Sequence, residues 1–195
     1  MRLFIALDID EEIRQRIGRF LDSISGFSAE ARWVRLESMH ATLKFIGEKP
    51  AEILSSLQEK LQEVKVPPFQ LTFAGTGFFP TPKSARVFWI GIQADSQLQS
   101  LAAAIEEATA QLGILKEDRA FSPHLTLARK TGGSGSPRRQ KDDRPNRAFQ
   151  RLQEKLASMP SPEFGTMTAR EFFLYQSQLS RSGPRYTKLQ SFKLR

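Results

Sequence analysis

The chain has no cysteine and only two histidines, and no apolar run approaches the roughly 18 residues that a membrane span requires. Missing thiols exclude disulfides, thiol nucleophiles and zinc sites built on thiolates. No Gly-x-Ser-x-Gly elbow is present. The glycine-rich GGSGS at 132–136 lacks the Lys-Ser/Thr that completes a phosphate-binding loop. The N-terminal MRLFIALDIDEE carries one basic residue and then turns acidic. That is a poor secretory signal, so a cytoplasmic protein is expected, with no membrane partner.

What is present is basic. Lys and Arg number 29 against 21 Asp and Glu, giving a net charge of +8 and a pI near 10.0. Such an excess fits an anionic partner, nucleic acid before a membrane surface. An apolar fraction of 39% with 26% charged residues describes a globular chain. At 195 residues it suffices for one domain or two small packed lobes.

Periodicity divides the chain into strands and amphipathic helices. Leu3, Ile5, Leu7 and Ile9 alternate against Arg2, Phe4 and Asp8, as in a half-buried strand. Ile13, Ile17, Phe20, Leu21 and Ile24 recur at helical spacing behind an acidic first turn. A second helix is expected over Pro50–Val64 and a third over Leu98–Leu112, stopped by Gly113. FQLTFAG and ARVFWIGI read as strands, a short helix is expected at Phe149–Ala157, and two strands at Thr166–Gln176 and Tyr186–Leu194. Residues 129–147 contain seven basic and two acidic residues and no large apolar one. This is a basic solvated loop, placed to meet an anionic ligand.

The chain repeats itself. SMHATLKFIG and SPHLTLAR each contain His-x-Thr-Leu, and together they use both histidines. The ungapped shift that lays His40 on His124 also lays Thr42 on Thr126 and Leu43 on Leu127. By the same shift Phe4 falls on Phe88, Ile17 on Leu101, Leu21 on Ile105 and Arg35 on Arg119. Two similar halves, each strand, helix, connection and histidine strand, are expected to pack as pseudo-twofold lobes of one domain.

Strand parity then places His40 and Thr42 on one face, with Ala41, Leu43 and Phe45 packing behind. His124 and Thr126 share a face in the second copy. Lys44 lies on the face of His40 and Thr42, either within reach of an anionic backbone or as a solvated strand-end lysine. Two histidines underfill a zinc or iron site, so no metal is expected. Paired general acid–base catalysis suits them better, because imidazole titrates near neutrality. One ring deprotonates water, the other protonates the leaving oxygen of a phosphodiester, and the threonine hydroxyls stabilise the non-bridging oxygens. A strained 2′,3′-cyclic phosphate at an RNA end suits such chemistry.

The sequence resembles the two-histidine (2H) phosphoesterases and, within them, the RNA 2′,3′-cyclic phosphodiesterases, also called 2′-5′ RNA ligases. MRLFIALDI, ARWVRLESMHATLKFIGE, GTGFFPTPKSARVFWIGI, EDRAFSPHLTLARK and FFLYQSQLSRSGPRYTKLQSF carry the resemblance nearly end to end. It implies a bilobal α+β fold, with antiparallel sheets, helices outside them and a cleft between. It further implies metal- and cofactor-free hydrolysis of a terminal cyclic phosphate to a 2′-phosphate, with His40 as proton donor and His124 as acceptor. The reverse reaction, 2′-5′ ligation, is implied too. RNA ends or nucleotides are the expected partners, and a monomer needing no other protein is the simplest state. Ala41 stands where the family often has a bulkier apolar residue. The family places an arginine at position 129, attractive for phosphate, yet simple alternation sets Arg129 opposite His124 unless a bulge re-aims it. Tyr175 and Ser177 lie in a family-like LYQS whose role stays open. Two rival readings share these residues: a basic RNA-binding module without turnover, and the same chemistry on a small cyclic nucleotide or an ADP-ribose cyclic phosphate.

Overall fold

The computed structural model describes residues 1–131, 145–180 and 183–195. The basic loop expected at 129–147 therefore falls largely outside the described residues. Four helices are described: α1 (Glu11–Ile24), α2 (Ile53–Gln62), α3 (Ser96–Ala110) and α4 (Gln150–Ala157). The strands are β1 (Arg2–Leu7), β2 (Ala31–Trp33), β3 (Ala41–Glu48), β4 (Phe69–Phe79), β5 (Val87–Ala94), β6 (His124–Lys130), β7 (Glu163–Ala169), β8 (Glu171–Ser180) and β9 (Gly183–Lys193). They form one antiparallel sheet in the order β7-β4-β5-β6-β3-β1-β8-β9, with β2 added on β6. The fold is α+β, as expected. The two halves of the sheet meet at β3 and β6, where Ala41 opposite Leu125 is the one registered pair.

The helices cover one face of the sheet. Ile13, Ile17, Leu21 and Ile24 of α1 and Leu98, Leu101 and Ile105 of α3 are buried against Leu3, Ile5, Leu7, Phe88, Ile90, Leu125 and Leu127. Each such side chain contributes roughly 1.5–3 kcal/mol by leaving water, so these stripes fix where the helices sit. The other face carries a second, small apolar cluster of Phe4, Ala6, Phe173 and Tyr175, with Tyr186 against it. Strand β1 is thus buried on both faces beyond Arg2, where its alternation suggested one buried face.

The register refines the internal repeat. Leu7 lies opposite Ala41 and Ile90 opposite Leu125. The strands next to the histidine strands, β1 and β5, therefore correspond with a shift one position shorter than the histidine strands themselves. Phe4 and Phe88, aligned by the ungapped shift, consequently face opposite ways: Phe88 enters the main core and Phe4 the small cluster. Core helix pairs such as Ile17 and Leu101 remain matched in burial.

Candidate active site

Both histidines sit at the seam between the halves. The pairing of Ala41 with Leu125 buries these two side chains on the helix face. Extending the register by one residue sets His40 across from Thr126 and His124 across from Thr42, all four on the opposite face.

Each ring is oriented in the same way. His40 Nδ1–H donates to the Ser38 carbonyl (2.8 Å), and His124 Nδ1–H donates to the Ser122 carbonyl (2.7 Å). A carbonyl accepts only from a protonated nitrogen, so Nδ1 holds the hydrogen and Nε2 is left as the proton-transfer atom. Aromatic rings wedge both imidazoles. Phe4 lies 4.7 Å from His40, and Tyr186 meets it edge-on at 5.0 Å. Phe79 meets His124 edge-on at 4.9 Å. Burial pushes the His40 pKa down to about 4; the Ser38 bond and the Asp8 charge act upward, and Arg129 and Arg14 downward. Burial also lowers His124, with Arg129 adding to the effect and no carboxylate opposing it among the described residues. The Thr42 and Thr126 hydroxyls have no hydrogen-bond partner among the described residues.

The structure decides the two basic residues oppositely. On β3 the register advances from Thr42 to Lys44 while β1 moves by one residue, leaving Leu43 as a bulge. On β6 it advances from Thr126 to Ala128 against β5, leaving Leu127 as a bulge. These two leucines are the repeat-related pair. Beyond each bulge the parity inverts. Lys44 turns away from the cleft and is 1% exposed, its Nζ bonded to Glu106 Oε2 (2.6 Å) and donating to the Leu115 carbonyl (3.0 Å). The expectation that Lys44 reaches an RNA backbone is therefore corrected: it is an internal clamp between β3, α3 and the segment after α3. Phe45, expected in the core, instead faces the cleft side beside Phe4, 41% exposed.

The same inversion brings Arg129 to the histidine side. Its guanidinium acts electrostatically on both imidazoles. Of the described groups that act on Arg129 itself, the charged ones are Arg32 and Arg2, alongside the Tyr186 phenol, and none is a carboxylate. A basic cluster that lacks a carboxylate partner among the described residues, next to two imidazoles and two hydroxyls, suits a phosphate. Among the described residues no group of three or more potential metal ligands gathers, and no helix is long and apolar enough to cross a membrane.

Sequence reasoning missed several residues of this face: Ser38 and Ser122, the rings of Phe4, Phe79, Trp89 and Tyr186, and Asp8. The serines had a readable signal, since both motifs are Ser-x-His-x-Thr-Leu. Tyr175, left open, stacks on Phe4 at 4.9 Å behind His40.

Comparison with known proteins finds similarity along nearly the whole chain. The family described as LigT like Phosphoesterase matches twice, over residues 7–89 and 90–186. An RNA 2′,3′-cyclic phosphodiesterase of Archaeoglobus fulgidus is 36% identical over 193 residues, covering 99% of this chain and all of the relative. One from Escherichia coli is 30% identical, covering 99% of this chain and 96% of the relative. Among solved structures, a protein of Thermus thermophilus superposes with a TM-score of 0.78 at 28% identity, covering 100% of this chain and 98% of its own. Escherichia coli LigT complexed with 3′-AMP gives a TM-score of 0.76 at 29% identity, covering 99% and 97%.

Proposed function

The chain belongs to the LigT-like phosphoesterase family, and we propose that it opens terminal 2′,3′-cyclic phosphates of RNA by paired-histidine acid–base catalysis. The carrying observation is the arrangement of two imidazoles, each fixed through Nδ1, on one face with Thr42, Thr126 and Arg129. In this reading the whole chain is one domain of two interleaved lobes, and the cleft is complete in a monomer.

The ring phosphate lies between the two Nε2 atoms. His124 Nε2 takes a proton from water as the water oxygen bonds to phosphorus. The bond from phosphorus to O3′ breaks, and His40 Nε2–H delivers its proton to that oxygen. The products are a 2′-phosphate and a free 3′-hydroxyl, and exchange with solvent restores the histidines. The hydroxyls of Thr42 and Thr126 and the Arg129 guanidinium meet the charge on the non-bridging oxygens. Asp8 supports His40 as the donor, because its charge favours the imidazolium and among the described residues no carboxylate acts on His124. The anionic substrate offsets Arg129 and helps His40 hold its proton. Both proton transfers fall to side chains, so turnover is expected without metal or nucleotide cofactor. With a 5′-hydroxyl in place of water, the same steps would join ends through a 2′-5′ linkage: O5′ bonds to phosphorus as His124 takes its proton, and O3′ leaves with the proton from His40. The basic excess favours RNA over a nucleotide or ADP-ribose cyclic phosphate.

An oligonucleotide ending in a 2′,3′-cyclic phosphate, incubated in EDTA, tests this reading. Opening to a 2′-phosphate is expected, with loss on the order of 10²-fold or more in His40→Ala and in His124→Ala. Full activity in both variants overturns it, and binding without turnover favours the RNA-binding module. A 3′-phosphate product reverses the leaving oxygen.

A further inference from the structure

We propose that Arg14 is a positioning residue for His40, acting through the turn that carries the Ser38 carbonyl; the functional part of this inference rests on the catalytic reading above. His40 owes its orientation to that carbonyl, and Ser38 closes a single 3-10 turn, Leu36–Ser38. So short an element does not hold itself in place. Helix α1 grips it at two points one turn apart.

The first point is polar. Arg14 Nη1–H donates to the Leu36 carbonyl, while Nη2–H donates to Asp8 Oδ1 (2.8 Å) and to the Ile9 carbonyl (3.2 Å). Asp8 is fixed in turn by Lys188 and by the Ile9 backbone N–H. The guanidinium fork thus ties the end of β1 to the turn, and both flank His40: Leu7 pairs with Ala41, and Asp8 follows Leu7. The second point is steric. A Cβ at Gly18 would come within 2.9 Å of Leu36 Cδ1. A glycine inside a helix costs about 1 kcal/mol relative to alanine. Here its bare Cα makes the seat for the Leu36 side chain. Met39 N–H donates to the Leu36 carbonyl as well (3.2 Å), so displacing Leu36 disturbs the residues leading into His40. In the other half His124 donates the same bond to the Ser122 carbonyl without Arg14, which makes it an internal control.

The test uses full-length protein with Arg14→Gln, Arg14→Lys and Gly18→Ala. It combines turnover of a cyclic-phosphate-ended oligonucleotide with ¹⁵N NMR of the imidazole nitrogens. In Arg14→Gln, kcat is expected to fall about 10-fold or more with KM little changed. His40 is expected to lose its single Nδ1–H tautomer while His124 keeps its own. Arg14→Lys retains the charge without the fork and stays impaired. Gly18→Ala displaces only the end of the Leu36 side chain, so kcat and the His40 tautomer are expected to change less than in Arg14→Gln. A larger loss than in Arg14→Gln would put the grip on the steric contact and overturn the assignment to Arg14. Unchanged kcat in Arg14→Gln, a fall with the His40 tautomer intact, or full rescue by lysine overturns the proposal. Should Arg14→Gln fail to fold, Arg14→Lys decides by the same readouts. If His40→Ala proves fully active, the catalytic reading fails, yet the tautomer readout still tests the grip.

Discussion

His40 and His124 have matching backbone anchors and unequal electrostatic surroundings. Burial lowers both pKa values, His40 to about 4, and among the described residues only His40 has a carboxylate acting the other way. A group whose folded pKa lies below its unfolded value stabilises the fold above the unfolded pKa and loses that contribution as pH falls. The window for His40 runs from 6.5 down to about 4. Thermal unfolding followed from pH 7.5 to 4 should show a steeper loss of Tm in the wild type than in His40→Gln. An equal slope would show that His40 does not carry the effect. The same shifts place the kcat/KM optimum on the acid side of neutrality. The kcat profile should be displaced to higher pH, because the bound anion offsets Arg129 and favours the imidazolium.

At the scale of elements, the two β-bulges govern the site. Each inverts parity just past a His-x-Thr, and their consequences differ because the residues beyond them differ. On β3 the bulge turns Lys44 inward to Glu106 and Leu115; on β6 it turns Ala128 inward, and Arg129 toward the histidines. Lys44→Met would leave Glu106 without its cation, held among the described residues only by the Glu117 N–H, and take the Lys44 donor from the Leu115 carbonyl. A destabilisation of about 3 kcal/mol is expected. Denaturant unfolding would measure it, and RNA KM in the folded variant should hardly change. Arg129→Gln should do the reverse, raising KM for the oligonucleotide about 10-fold or more with unfolding little affected. A loss of RNA affinity in Lys44→Met equal to that in Arg129→Gln would contradict the bulge assignment.

Across the whole molecule, the sheet joins its two halves where β6 meets β3 at one registered pair and β2 at three, and the chain carries a net charge of +8. The seam thereby gathers groups that lie far apart in sequence, one set from each copy of the repeat, while the surrounding charge acts on substrate at longer range. Raising salt from about 50 to 200 mM should depress kcat/KM for an oligonucleotide well beyond that for a cyclic mononucleotide, since only the longer substrate engages many phosphates. Parallel salt series would show this, and equal slopes would confine the substrate contact to the terminal phosphate.

The sequence by itself determined the helices and the histidine strands, because their apolar spacing is a local property that survives packing. It also determined the pairing of His40 with His124 and Thr42 with Thr126, because an ungapped repeat needs no knowledge of the fold. It did not determine where Lys44, Phe45 and Arg129 point, since a bulge leaves no mark in alternation and arises only against a neighbouring strand. Nor did it show that Phe4 and Phe88 face opposite ways, a one-residue register difference that inter-strand hydrogen bonds alone select. The turn held by Arg14 and Gly18 likewise exists only once α1 lies beside Leu36. A guanidinium has no preferred carbonyl until the tertiary structure brings one within reach.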